Sequence, residues 1–357
     1  MDERNESALI QAAKKHFSAL GLRFFLGSLV IYAVSIGVSA VVGTFWPQAY
    51  DNLSLSLVLS IVPMYLIGIP ALYLIVRPVP TGTPGTGKLT AGWFITFLVL
   101  AYGFMTLTNL IGTYLGMFIE LLVPSAQAST NAVQAVAFGG EIWINAIFMV
   151  LLAPVIEEFV FRKTLVDRTI QYGEGVSMLI SGLFFGLFHG NLTQFLYAFV
   201  MGAILSLLYA RTGKIRYTIA IHMIVNFMGS VVGVLVIRAA GLSELMNQFL
   251  GDSSEGMGSL DMAAIMELAQ DHAAGLALYL LFTCVVYGCM LAAVILLIVR
   301  HRQLRPLPGR TVIPKGKRFS TVICNPGVLI LIVFYLVVIF FATFGNGLVQ
   351  SISGLAG

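Results

Sequence analysis

EIWINAIFMVLLAPVIEEFVFR, residues 141–162, decides how this chain is read. The run is apolar and long enough, at 1.5 Å per residue, to cross the roughly 30 Å hydrocarbon core of a bilayer as a helix. Near its end it carries two adjacent acids, Glu157 and Glu158, and then Arg162. A charge at mid-bilayer costs about 2.5–3.5 kcal/mol on insertion scales, so an acid inside a span is by default a functional hypothesis.

The rest of the chain is of the same kind. Of its 357 residues 58% are hydrophobic and 10% charged, and the mean hydropathy is +0.93. A soluble domain cannot hide that much apolar surface. Apolar runs predict nine transmembrane helices: 24–46, 54–76, 92–118, 141–161, 176–190, 193–210, 216–237, 274–299 and 326–347. The fold class is therefore all-α, a polytopic membrane helix bundle with its functional core in helices 4–7.

The net charge of +4 is not a nucleic-acid signal, because the basic residues fall where membrane topology places them. Arg4, Lys14, Lys15 and Arg23 precede helix 1, and Arg77 and Lys88 follow helix 2. Lys163 and Arg168 follow helix 4, Arg211, Lys214 and Arg216 follow helix 6, and seven more lie in 300–318. The alternate loops hold almost none. This pattern predicts an integral protein of a prokaryotic plasma membrane, with the N-terminus cytoplasmic and the C-terminus outside. No cleavable signal peptide is evident. Cys284, Cys289 and Cys324 are too few and too poorly spaced for a disulfide framework or a metal knuckle.

The chain divides by content. Residues 1–23 are a cytoplasmic segment, in which 5–20 reads either as an interfacial amphipathic helix or as a plain juxtamembrane anchor. Residues 24–140 hold peripheral helices 1–3, whose linker 78–90, rich in Pro and Gly, reads as a flexible loop. Residues 141–238 concentrate the polar groups. The acidic loop 239–273 reads as an inert interfacial loop or a substrate lid. Helices 8 and 9 complete the chain to residue 357. Gly182, Gly186 and Gly190, and Gly229 with Gly233, recur at the spacing that lets helices approach closely in lipid. No internal repeat favours a transporter.

Within the core, successive helical residues differ by about 100°, so Glu157 and Glu158 face different ways. Glu158 and Arg162 are four apart, acid first, the favourable order for an ion pair. That leaves Glu157 free to face a cavity, where a carboxylate suits a general base. The competing reading has both acids capping the helix near the headgroups. Pro154 frees a carbonyl one turn back and kinks the helix, or is simply a tolerated membrane proline. His189 and His222 each fit a hydrogen-bonded residue between helices. With Asn226 on the face of His222 and a nearby glutamate, they also supply a base, proton carriers or metal ligands, and an oxyanion donor. Phe185 is either a pocket wall or plain packing. Counted from the charged end, Glu157 and His222 lie roughly 10 Å deep and His189 near 20 Å, a mismatch if they share a site. Neither a His-Glu-x-x-His zinc motif nor a Gly-x-Ser-x-Gly nucleophile motif is present.

These three motifs, Glu157-Glu158-x-x-x-Arg162, Phe185-x-x-x-His189 and His222-x-x-x-Asn226, resemble the CAAX-protease and bacteriocin-processing (CPBP, or Abi) family of intramembrane peptidases. The likeness covers about 141–230. It implies a membrane endopeptidase acting on a peptide or membrane-protein substrate. Glu157 would activate water, His189 and His222 would position it or carry protons, and Asn226 would hold the oxyanion. Glu158 and Arg162 would keep the local structure. Members are often called metalloproteases, and Glu157, His189 and His222 can in principle ligate zinc. A metal-free glutamate mechanism is equally compatible. A non-catalytic scaffold or immunity-type partner is the alternative function. The oligomeric state is not readable.

Overall fold

Nine long helices carry the chain in the computed structural model, which describes residues 3–128, 140–243 and 270–355, with side chains as far as residue 345. They are α1 (Glu3–Phe45), α2 (Leu53–Val76), α3 (Ala91–Leu122), α4 (Ile142–Tyr172), α5 (Glu174–Phe188), α6 (Leu192–Thr212), α7 (Ile215–Ala239), α8 (Ala273–Leu304) and α9 (Pro326–Leu355). Among the described residues there is no strand, only the isolated bridge between Gly173 and Pro308. All but α5 are long and apolar enough to cross a membrane. The protein is an all-α polytopic membrane bundle. Most of the acidic loop 239–273, with its suggested lid, lies outside the described residues.

Two predicted boundaries move. The N-terminal segment is not a separate interfacial helix, because α1 runs unbroken for 43 residues. No proline interrupts it, and at about 64 Å it is twice as long as a bilayer core. Its N-terminal part packs on the end of α4: His16 Nε2 is 2.7 Å from the Arg168 carbonyl, and the Phe17 and Tyr172 rings are 4.7 Å apart. Helix α4 likewise continues through the polar sequence KTLVDRTIQY to Tyr172 rather than ending at 161. Lys163 pairs with Asp167 at 2.6 Å, and Asp167 accepts a bond from the Tyr209 hydroxyl at 2.8 Å. Arg168 donates to the carbonyls of Thr164, Val76 and Arg77. Polar groups that look like a loop are satisfied inside the protein.

Small residues set the tightest helix pairs. A Cβ on Gly182 would lie 2.6 Å from the Phe199 carbonyl, and one on Gly186 would lie 2.8 Å from that of Phe195, so α5 and α6 touch backbone to backbone. Gly190 instead has φ +67° and makes the turn between them. The close approach predicted at Gly229 is not seen among the described residues, where nothing lies within 4 Å of its Cβ position. Helix α1 crosses α9 where Gly21 meets the Gly327 and Val328 backbone. Further along, Ser28 bonds the buried Tyr335 hydroxyl at 2.8 Å.

The loop 78–90 is a docked strap rather than a free linker. The amides of Gly82, Gly85 and Gly87 bond the carbonyls of Asp167, Ala210 and Arg211. A second strap, 305–311, lies on the turn after α4, where Thr311 donates to the Gln171 carbonyl. Arg211 holds Glu174 at 3.2 Å and donates to the carbonyls of Gln303 and Arg305. The Lys/Arg-rich end of the bundle is thus tied down. A Cβ on Gly309 would collide with Gln171 O and Gly173 N, whereas Gly316 faces open space. Gly309→Ala is expected to free this strap, so that trypsin cuts after Arg310 about tenfold faster, the effect of ~1.4 kcal/mol of overpacking. Gly316→Ala should leave the rate unchanged in the same digest.

Candidate active site

The site forms where α2, α4 and α7 depart from ideal helix geometry. Helix α4 holds two π-helical segments, Ala146–Leu152 and Phe159–Thr164, which flank the α-turn Ala153–Glu158 bearing both acids. Pro154 lies just after the first. Its missing N–H leaves a carbonyl one turn back without its usual donor, and the wider π-turn absorbs the misfit where the sequence predicted a kink. Further π segments occur at Met64–Gly68 in α2, directly after Pro63, and at Met228–Gly233 in α7, two residues on from Asn226. π-turns are rare, and they frequently mark functional sites because they re-aim the side chains around them.

Glu157 and Glu158 separate as their helical angle requires. Glu158 and Arg162 form the expected i,i+4 ion pair, at 2.9 Å with both side chains 0% exposed. The same carboxylate oxygen of Glu158 is 2.9 Å from His222 Nδ1. Glu158 therefore joins α4 to α7 and fixes the imidazole, with the Nδ1–H donating to Glu158 and Nε2 turned away. Nε2 points toward Glu157, at 3.6 Å from its Oε2. The Glu157 side chain is 25% exposed, so it faces an opening while its neighbour is sealed. The reading in which both acids merely cap a helix end does not survive this arrangement.

His189, at the end of α5, comes to the same level. Glu157 and His189 are each sixteen residues from Gly173. The antiparallel hairpin of α4 and α5 therefore returns the chain to the same depth, about 24 Å from the turn. The predicted mismatch came from ending α4 at residue 161. His189 Nδ1 bonds the Phe185 carbonyl at 2.7 Å, leaving Nε2 unspent, and the ring lies within electrostatic reach of Glu157 and His222. Phe185 is the wall between these groups. Its ring centroid is 4.8 Å from that of His189 and 5.9 Å from that of His222, and the Arg162 guanidinium lies 4.9 Å over its face. Asn226, one turn after His222, donates to the Met149 carbonyl at 2.8 Å, which ties α7 to the first π segment of α4. Ser230 bonds the Asn226 carbonyl at 2.6 Å.

Tyr65 was not singled out in the sequence. It lies in the π segment of α2, half-buried, within electrostatic reach of Glu157. Farther along the same helix, Tyr73 stacks on Phe159 at 5.3 Å. The only signal for it was the pair of prolines, Pro63 and Pro70, which made α2 an unlikely plain helix. Tyr197, whose ring is 6.3 Å from that of His189, was also missed.

The zinc-ligand reading of Glu157, His189 and His222 is not supported. Among the described residues no three His, Cys, Asp or Glu side chains are gathered as a metal site. The structure thus gives the description metalloprotease no support.

Residues 139–228 match the family described as type II CAAX prenyl endopeptidase Rce1-like. Two curated bacterial proteins are similar over the same scale. "Membrane-embedded CAAX protease MroQ" of Staphylococcus aureus (strain USA300) is 30% identical over 107 residues, 28% of this chain and 43% of that protein. "Putative membrane peptidase YdiL" of Bacillus subtilis (strain 168) is 32% identical over 106 residues, 29% of this chain and 40% of that protein. The match thus spans less than half the length of either relative. No solved structure matches significantly. The helices outside the match, α1–α3, α8 and α9, surround a core, residues 139–228, that is similar to the type II CAAX prenyl endopeptidase Rce1-like family and carries the three ordered motifs.

Proposed function

We propose that this protein is an intramembrane endopeptidase that hydrolyses a peptide bond with a water activated by Glu157, without a metal. The observation that carries the reading is the pair of unlike carboxylates. One is sealed, ion-paired and used to orient His222; the other is open beside the free nitrogen of that imidazole. The 3.6 Å gap is longer than a hydrogen bond and suits a shared water.

In the proposed reaction Glu157 takes a proton from that water as its oxygen attacks the scissile carbonyl carbon. Asn226 spends one amide N–H on Met149, and its second can donate to the carbonyl oxygen as that oxygen becomes an oxyanion. Collapse of the tetrahedral intermediate breaks the C–N bond, and the proton held by Glu157 passes to the leaving amine. His222, positioned by Glu158, and His189 stabilise the proton in transit. The substrate is a membrane-associated protein or peptide reaching the open side of Glu157. By the positive-inside rule the Lys/Arg-rich end of the bundle faces the cytoplasm.

Membrane-protein termini in cells carrying the wild type or Glu157→Ala at matched expression test the reading. New N- or C-termini confined to the wild type support it and name the substrate. Identical termini would refute it in favour of a scaffold. With that substrate in hand, Asn226→Ala is expected to lower kcat by about 10²–10³-fold with KM little changed, the usual cost of one oxyanion donor. Exhaustive chelation should leave kcat unaltered.

A further inference from the structure

At the Lys/Arg-rich end, away from the candidate active site, the last turn of α8, which lies beyond the matched stretch, and the first turns of α5 enclose an open groove of about 820 Å³. Its walls differ in kind. Met178, Leu297 and Pro306 give an apolar side, and His301, Arg302 and Arg305 form a basic rim. Helix α8 is among the most apolar of the spans, and it ends at Leu304. The rim therefore sits where hydrocarbon gives way to headgroups, and the apolar wall runs from there toward the bilayer.

The rim charges are unspent. Among the described residues neither Arg302 nor Arg305 has an acidic partner, and both are exposed. The acids of the adjoining hairpin are taken, Glu174 by Arg211 and Asp167 by Lys163 and Tyr209. The backbone beneath is held, because Arg211 bonds the carbonyls of Gln303 and Arg305. Topology alone needs basic residues near a membrane face; it does not need a fixed trough with an apolar floor beneath them. The groove is within the size of small-molecule sites and larger than a bare phosphate requires.

We infer that this groove seats an anionic phospholipid, its phosphate between Arg302 and Arg305 and its first acyl carbons along Met178, Leu297 and Pro306. Basic pockets between transmembrane helices on the cytoplasmic side bind such headgroups by this division of labour. The site is independent of the peptidase chemistry, and its test does not read activity.

The full chain in detergent is incubated with equimolar phosphatidylglycerol and phosphatidylcholine, and bound lipid is counted by native mass spectrometry. The wild type is expected to retain phosphatidylglycerol with about tenfold preference. Arg302→Gln with Arg305→Gln should reduce that preference to about twofold or less, and Leu297→Ser should lower total lipid retained. Arg310→Gln with Lys317→Gln, basic residues of the same loop outside the groove, should change neither. Unaltered elution and thermal midpoint confirm that each variant is folded. Equal retention of the two lipids by the wild type would overturn the assignment. So would an equal loss in both double variants, which would mean diffuse surface charge, or displacement by free glycerol 3-phosphate, which would mean a simple anion site.

Discussion

Glu158→Ala is expected to lower the stability of the protein by about 3–5 kcal/mol, seen as a fall of roughly 5–15 °C in the thermal midpoint in detergent. The size follows from what is left behind. Arg162 is fully buried, and Glu158 is its only acidic partner within 4 Å among the described residues. Removing the carboxylate leaves a guanidinium in a low-dielectric interior over the ring of Phe185, with Glu157 within electrostatic reach but, among the described residues, no acid within 4 Å. The pair as it stands is not fully satisfied, since Arg162 Nε and Nη1 and the second oxygen of Glu158 lack hydrogen-bond partners. An apolar pair of similar volume should therefore replace it at little cost. Glu158→Leu with Arg162→Met is expected to return the midpoint to near the wild-type value. The double variant should still be a poor enzyme, because His222 Nδ1 has lost the acceptor that orients it. Recovery of both stability and turnover would mean that Glu158 does not position the histidine. Recovery of neither would mean that the pair has packing partners beyond those described.

The same pair shows what a sequence can and cannot disclose. Its i,i+4 geometry follows from the helical repeat, and so does the opposite orientation of Glu157; both were legible from spacing alone. Helix count and order were legible too, because apolar runs of spanning length have few other uses. What hydropathy missed were the polar stretches that stay helical inside the protein. KTLVDRTIQY, residues 163–172, looks like a loop until Asp167 and Arg168 are seen to be buried and bonded to α6 and α2. That one boundary error also misplaced His189 in depth. Glycine carried the opposite ambiguity. In 78–90 it reads as flexibility, yet Gly85 is there because its Cα must approach the Arg211 carbonyl, while Gly229, which looked like a packing residue, meets no neighbour among the described residues. Tyr65 stayed hidden because a tyrosine in an apolar helix has no distinguishing spacing; only the π-turn after Pro63 aims it toward the site.

Glu157→Gln is expected to remove turnover by about 10³-fold or more with the fold intact, the largest effect in the molecule. The amide keeps the shape and the hydrogen-bonding capacity of the side chain but cannot accept the proton of a nucleophilic water. Its structural cost should be small, because Glu157 is partly exposed and its contact with His222 is 3.6 Å, too long to hold the two helices together. That separates it from Glu158, where stability and activity fall together. Measured on the substrate found from the termini, Glu157→Gln should lower kcat and leave KM nearly unchanged, since a base acts in the transition state and not in binding. Glu157→Asp gives the discriminating control. It restores a carboxylate one methylene short, so a general base should recover part of kcat, whereas a residue needed only for polarity would work as well as glutamine. If Glu157→Gln retained near wild-type kcat, the proton would have to go elsewhere. The free Nε2 of His222 would then be the base, with Glu158 behind it as the orienting acid, and the assignment of the two carboxylates would have to be exchanged.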